Sequence, residues 1–170
     1  MSYMFPPGPV SAVPVEGSEL LYAVNRIYCV GQNYSDHVRE MGGNPKKDPP
    51  VFFSKPANAI VVDNSNVNYP PATKNLHYEV ELVVALSAGG LRISEPSALK
   101  CVFGYAVGID FTCRDLQQAA KETGRPWDTA KGFDQSAPIS HIKPFPANKE
   151  LGDAKITLSL NDEIRQEAKL

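Results

Sequence analysis

The stretch "NLHYEVELVVAL", residues 75–86, decides how the rest of the chain is read. Successive side chains of a strand point to opposite faces, so His77, Glu79 and Glu81 project together while Tyr78, Val80, Leu82, Val84 and Leu86 project oppositely. The ordinary explanation is an amphipathic strand with its acids in water. Against it, the acidic face runs on into Val83 and Ala85, so the strand reads as entering the interior on both sides. Two carboxylates placed there repel each other. They need a cationic partner or a metal, and oxygen donors favour a hard ion such as Mg²⁺ or Mn²⁺.

A third carboxylate strengthens that reading. Asp110 ends the apolar strand "YAVGID", although capping the next helix is an equally good role for it. His37 and Glu40 stand at i and i+3 of the predicted short helix "SDHVREMGG", where they could form an acid–base pair or an ordinary surface pair. Lys131, in a turn-rich segment, and Arg114, opening a helix, would each suit an anionic substrate or be plain surface charges. No phosphate-binding glycine loop is present in the sequence.

Around these residues short strands dominate, and helices are too few for a doubly wound sheet. Residues 1–20, broken by Pro6, Pro7, Pro9 and Pro14, read as an extended arm, and residues 21–170 as one globular domain. "RIYCVGQNY" reads as a short buried strand and "VFFSKPANAIVV" as a strand interrupted at Pro56. "CVFGYAVGIDFT" is a strand, "SEPSALK" a short helix, and "RDLQQAAKETG" a helix closed by Gly124. "RPWDTAKGFDQSAPIS" reads as loop with one short strand, and "KITLSLNDEIRQ" as a hairpin turning at Asn161-Asp162.

Composition narrows the function classes. A chain of 170 residues, 42% hydrophobic, fits one core without disulfide staples. Its three cysteines lack zinc-ligand spacing and point to a reducing compartment. A formal charge of −2, with 17 scattered Lys and Arg, gives no footprint for nucleic acid. No apolar run is long enough for a membrane span, and the opening lacks a positive n-region, so the expected location is cytoplasmic.

Taken together, "RIYCVGQNYSDHVREMG", "FFSKPANAIV", "YPPATKNLHYEVELVVAL", "GYAVGIDFTCRDLQ" and "GRPWDTAKGFDQSAPIS" resemble the fumarylacetoacetate hydrolase family, with the proline-rich opening leaning toward fumarylpyruvate hydrolases and acylpyruvases. The resemblance implies an α+β, mostly β fold: a mixed β-roll with short peripheral helices. It implies Mg²⁺ or Mn²⁺ on Glu79, Glu81 and Asp110, a catalytic dyad of His37 and Glu40 on a lid helix, an active-site Lys131, and Arg114 and Gln117 lining the pocket. The implied reaction is hydrolysis of the C–C bond of a 2,4-dioxo acid to pyruvate and a carboxylic acid. Oxaloacetate decarboxylation or tautomerisation is the enzymatic alternative. The match stops at "EAKL", where the family continues, so the chain reads as lacking the family's C-terminal segment; an inactive binding module is then a third reading, and a homodimer the expected assembly.

Overall fold

The computed structural model describes residues 2–31, 33, 50–146 and 151–170. The fold is organised around β7 (Val80–Leu86) and β8 (Val102–Ile109), an antiparallel pair in which Val80 faces Ile109 and Glu81 faces Gly108. On the far side of β8 lies β11 (Lys143–Pro144), close enough that a Cβ on Gly104 would stand 2.4 Å from the Lys143 carbonyl oxygen. Only glycine allows that approach.

Smaller units flank this sheet. β1 (Ala12–Pro14) pairs antiparallel with β2 (Leu21–Ala23), and β3 (Ile27–Gly31) with β4 (Val51–Lys55). β5 (Ile60–Val61) runs parallel to β10 (Ala137–Pro138), which makes the architecture mixed. β6 (Leu76–His77) pairs with β9 (Thr112–Cys113), and β12 (Lys155–Leu160) with β13 (Glu163–Lys169). Helices are short, at Glu95–Ala98, Arg114–Glu122 and Asp128–Lys131. The expected mostly-β roll is the observed fold class. The hairpin turn also forms as read, with Asn161 and Asp162 at φ 51 and 65, the left-handed pair that a two-residue turn needs.

Four local expectations are corrected. The strand read over 75–86 is two strands, β6 and β7, separated at Tyr78 and Glu79. Nor is it covered on both sides along its length: Val80 is buried, but Val84 and Leu86 on the same face are 44% and 52% exposed, whereas Ala85 is buried and packs with Val13, Ala106 and Ile142, Val83 lying against them. The core thus lies on the face that carries the acids, because Val13 and Ile142 cover that side. β3 is half-exposed rather than buried, with Tyr28 and Val30 facing outward. The segment read as loop at 125–140 contains the Asp128–Lys131 helical turn. The proline-rich opening carries β1, whose partner β2 lies beyond residue 20, and it contributes Val13 to the centre of the core.

Gln166 of β13 holds the break in place. Its amide donates to the Tyr78 carbonyl (3.0 Å) and accepts from the Val80 N–H (2.9 Å), bracketing Glu79. Gln166→Ala leaves both backbone groups without this partner, at about 1–3 kcal/mol. The expected outcome is faster hydrogen exchange at the Val80 amide and a Tm lower by roughly 3–8 °C; an unchanged Val80 exchange rate would show that the clamp is dispensable.

Candidate active site

Where β7 begins and β8 ends, the backbone places two acids side by side: the Asp110 N–H donates to the Glu79 carbonyl at 2.8 Å. Their side chains meet on Lys131, which the Asp128–Lys131 helical turn brings beneath them. Its ammonium donates to Glu79 Oε2 (2.7 Å), Asp110 Oδ2 (2.6 Å) and Thr112 Oγ1 (2.6 Å), so all three of its protons are used. Lys131 is buried, and such full pairing is what makes a buried ammonium tolerable.

A second lysine, unremarked in the sequence, completes the floor. Lys55 is buried, with its Nζ 2.8 Å from Asp110 Oδ1 and donating to the carbonyls of Phe111 (3.0 Å) and Lys131. Burial pulls its ammonium below the usual lysine range, against the upward pull of Asp110. A lysine set in the apolar run "VFFSKP" just before a proline was the available signal. It was easy to pass over, because a β4 residue pairs with Asp110 only through tertiary folding.

On the other side of Glu79, Arg114 forms an ion pair with Oε1 and donates to Gln117 Oε1 at 2.6 Å. The Arg114–Glu122 helix aims both residues, and its start is fixed by the Arg114 N–H donating to Asn75 O and by Asp115 accepting from Thr73 and Lys74. The structure therefore brings together five of the sequence candidates: Glu79, Asp110, Arg114, Gln117 and Lys131. Glu81 follows within β7, opposite the side-chain-free Gly108. Its charge reaches Cys29 together with those of Asp110, Lys55 and Lys131. His37 and Glu40, with the predicted lid helix, lie outside the described residues.

Burial alone would raise the Glu79 carboxyl. Lys131, through charge and hydrogen bond, and then Arg114 outweigh it and bring the group down to about 2. Cys29 shows the opposite balance, since burial, with Asp110 adding, pushes its thiol up to about 11 and keeps it neutral. A carboxylate depressed in the folded state stabilises fully above its unfolded value, near 4.5, and loses that contribution as pH falls toward about 2. Acid titration followed by Trp127 emission should therefore show a loss of stability on the order of 3 kcal/mol across that window. In Glu79→Gln this component should be missing; an identical acid profile would mean that Glu79 does not carry it.

The donor set can be asked whether it suits a divalent cation. Glu79, Glu81 and Asp110 offer only oxygen, the chemistry that Mg²⁺ and Mn²⁺ prefer. Asp110 Oδ1 is buried and, although ion-paired with Lys55, receives no donor in hydrogen-bond geometry, which leaves an acceptor to spare. Among the described residues, no three His, Cys, Asp or Glu side chains already converge as a metal cluster; Lys131 instead spans Glu79 and Asp110. The residues fit the ion in chemistry and in this spare acceptor.

Comparison with known proteins agrees with the architecture. The family model described as Fumarylacetoacetate (FAA) hydrolase C-terminal matches residues 26–170. The mitochondrial oxaloacetate tautomerase FAHD1 of Bos taurus is 42% identical over 141 residues, 83% of this chain and 63% of its own length. The oxaloacetate tautomerase YcgM of Escherichia coli is 37% identical over 155 residues, 89% of this chain and 69% of its own. The chain thus spans somewhat under two thirds of the length of the FAHD1 relative. The structure of the fumarylpyruvate hydrolase of Pseudomonas aeruginosa, in complex with Mn²⁺ and pyruvate, superposes with a TM-score of 0.89 at 42% identity, covering 99% of this chain and 74% of that one.

Proposed function

Because the chain belongs to the fumarylacetoacetate hydrolase family, we propose that it hydrolyses the C–C bond of a 2,4-dioxo acid, fumarylpyruvate or a related acylpyruvate, to pyruvate and a carboxylic acid. The observation that carries this reading is the shared Lys131 ammonium between Glu79 and Asp110 in a buried, cation-rich setting. Glu79, Glu81 and Asp110 are the residues proposed to hold Mg²⁺ or Mn²⁺. Bound there, the ion would supply Lewis-acid chemistry toward the oxygens of an anionic oxo acid.

The chain's own groups supply the rest. Lys55, Lys131 and Arg114 balance the three carboxylates one for one, so a divalent ion would leave an excess of positive charge suited to a dianionic substrate. Arg114, held against Gln117, is placed to orient a substrate oxygen. Lys131, its three protons given to Glu79, Asp110 and Thr112, would contribute a fixed positive charge toward a developing oxyanion. His37, oriented by Glu40, is the proposed base that takes a proton from water attacking the 4-carbonyl. Protonation of the three-carbon enolate then gives pyruvate.

A second reading has equal support from the relatives: tautomerisation of oxaloacetate, the activity named for FAHD1 and YcgM. The two differ in products. The deciding experiment follows the ultraviolet absorbance of fumarylpyruvate, acetylpyruvate and enol-oxaloacetate with the purified chain, under chelator and then with Mg²⁺ or Mn²⁺ restored. Pyruvate with a second acid is the outcome expected of hydrolysis. Enol loss without fragments points to the tautomerase, and loss of neither removes both. Under the same proposal the chain is a cytoplasmic homodimer with a small-molecule substrate; sedimentation velocity checks the assembly. Among the described residues no helix is long and apolar enough to cross a membrane.

A further inference from the structure

Next to the acid cluster lies a cavity of about 290 Å³, whose lining includes Phe52, Phe53, Trp127, Arg125, Asp128 and Lys131. Lys131 belongs to both places. Its ammonium binds Glu79 and Asp110 while standing 4.8 Å from the Phe53 ring centroid, so one side chain links the acid cluster to the cavity lining. The lining is aromatic: Phe53 and Trp127 pack against each other, with centroids 6.0 Å apart and rings tilted by 55°. Such walls favour a flat, conjugated guest over a compact hydrated one.

Arg125 supplies the polar end. Gly124, at φ +63, ends the preceding helix, and the Arg125 N–H returns to the Ala120 carbonyl at 2.8 Å, which swings Arg125 and Trp127 onto the cavity wall. Among the described residues no carboxylate or carbonyl pairs with the Arg125 guanidinium, although Asp128 lines the same cavity. Lys55, Arg114 and Lys131 are already ion-paired with the acids, and Lys121 stands 5.3 Å from the Trp127 ring centroid. A guanidinium free to form a fork, beyond aromatic walls, matches a terminal carboxylate on a planar chain.

We propose that this cavity receives the acyl arm of the substrate and that Arg125 selects arms ending in a carboxylate, with the packed Phe53–Trp127 pair forming the wall against which an unsaturated linker lies. The assignment rests on the hydrolase reading and narrows it to dicarboxylic acylpyruvates. Asp128 tunes the same subsite by opposing the anionic end.

The test pairs fumarylpyruvate with crotonylpyruvate, whose arm ends in methyl instead of carboxylate. Arg125→Leu should lower the ratio of their kcat/KM values by about 10-fold or more, mostly through KM for fumarylpyruvate, and Asp128→Asn should raise it. Equal losses on both substrates, or no change in the ratio, would overturn the assignment while leaving hydrolysis intact. If neither substrate turns over, the hydrolase reading fails and binding decides the subsite. Fumarate is then titrated against the emission of Trp127, the single tryptophan. Saturable quenching weakened about 10-fold by Arg125→Leu supports the subsite; absent quenching, or quenching indifferent to the variant, overturns it.

Discussion

Glu79→Gln is expected to abolish turnover, with kcat falling by about 10³-fold or more, while the fold is retained. The substitution keeps the shape of the side chain but removes the charge on which Lys131 and Arg114 converge. It also removes one of the three carboxylates proposed to hold the divalent ion. Several kcal/mol of transition-state stabilisation would go with that ion, and each 1.36 kcal/mol is about tenfold in rate. Lys131 keeps Asp110 and Thr112 as partners, so no buried ammonium is stranded. Unchanged far-ultraviolet circular dichroism, weakened Mn²⁺ binding by calorimetry and lost turnover form the expected set. Wild-type Mn²⁺ affinity in this variant would remove Glu79 from the ligand set and return it to the role of a salt-bridge partner.

Lys55→Met should produce the largest change in stability. Both its charge and its hydrogen bonds are buried, and its loss leaves Asp110 Oδ1 without its cation and the Phe111 and Lys131 carbonyls without this donor. Breaking a buried pair from one side costs roughly 3–5 kcal/mol, which for a chain of this size corresponds to a Tm lower by roughly 6–20 °C. Lys155→Met is the matched control. Its partner Glu167 and Lys155 itself are about half-exposed, at 47% and 53%, and a surface pair contributes about 0–1 kcal/mol. Thermal unfolding monitored by circular dichroism separates them; equal shifts in the two variants would mean that Lys55 is not the keystone of the site floor.

The site was legible in part because its acids stand where an apolar pattern makes acids conspicuous. Glu79 and Glu81 interrupt a hydrophobic strand, and Asp110 ends one. Arg114 and Lys131 stood out only as cations that would suit an anionic substrate, and their places in the site, with that of Gln117, came through family resemblance, since a lysine in a turn-rich segment carries no local sign of burial. Lys55 was missed for the same reason: what makes it notable is its pairing with Asp110, 55 positions further along the chain. The cavity was equally illegible. Phe53 sits in a strand and Trp127 ahead of a helical turn, and no periodicity relates them.

Alternation and turn chemistry by themselves determined the short strands, the break at Pro56, the helix ending at Gly124, the Asn161-Asp162 hairpin, and the grouping of Glu81 with Val83 and Ala85 on one face of a strand. These are local properties, set by backbone sterics and by the period of two. Tertiary structure alone decided which face of β7 is covered. Alternation fixes which residues share a side but not which side is buried, and here Val13 and Ile142 bring the core to Val83 and Ala85 while Val84 and Leu86 stay exposed. It also decided that the acids are met by Lys55, Lys131 and Arg114, because electrostatic pairing depends on distance in space and these cations arrive from three separate segments of the chain.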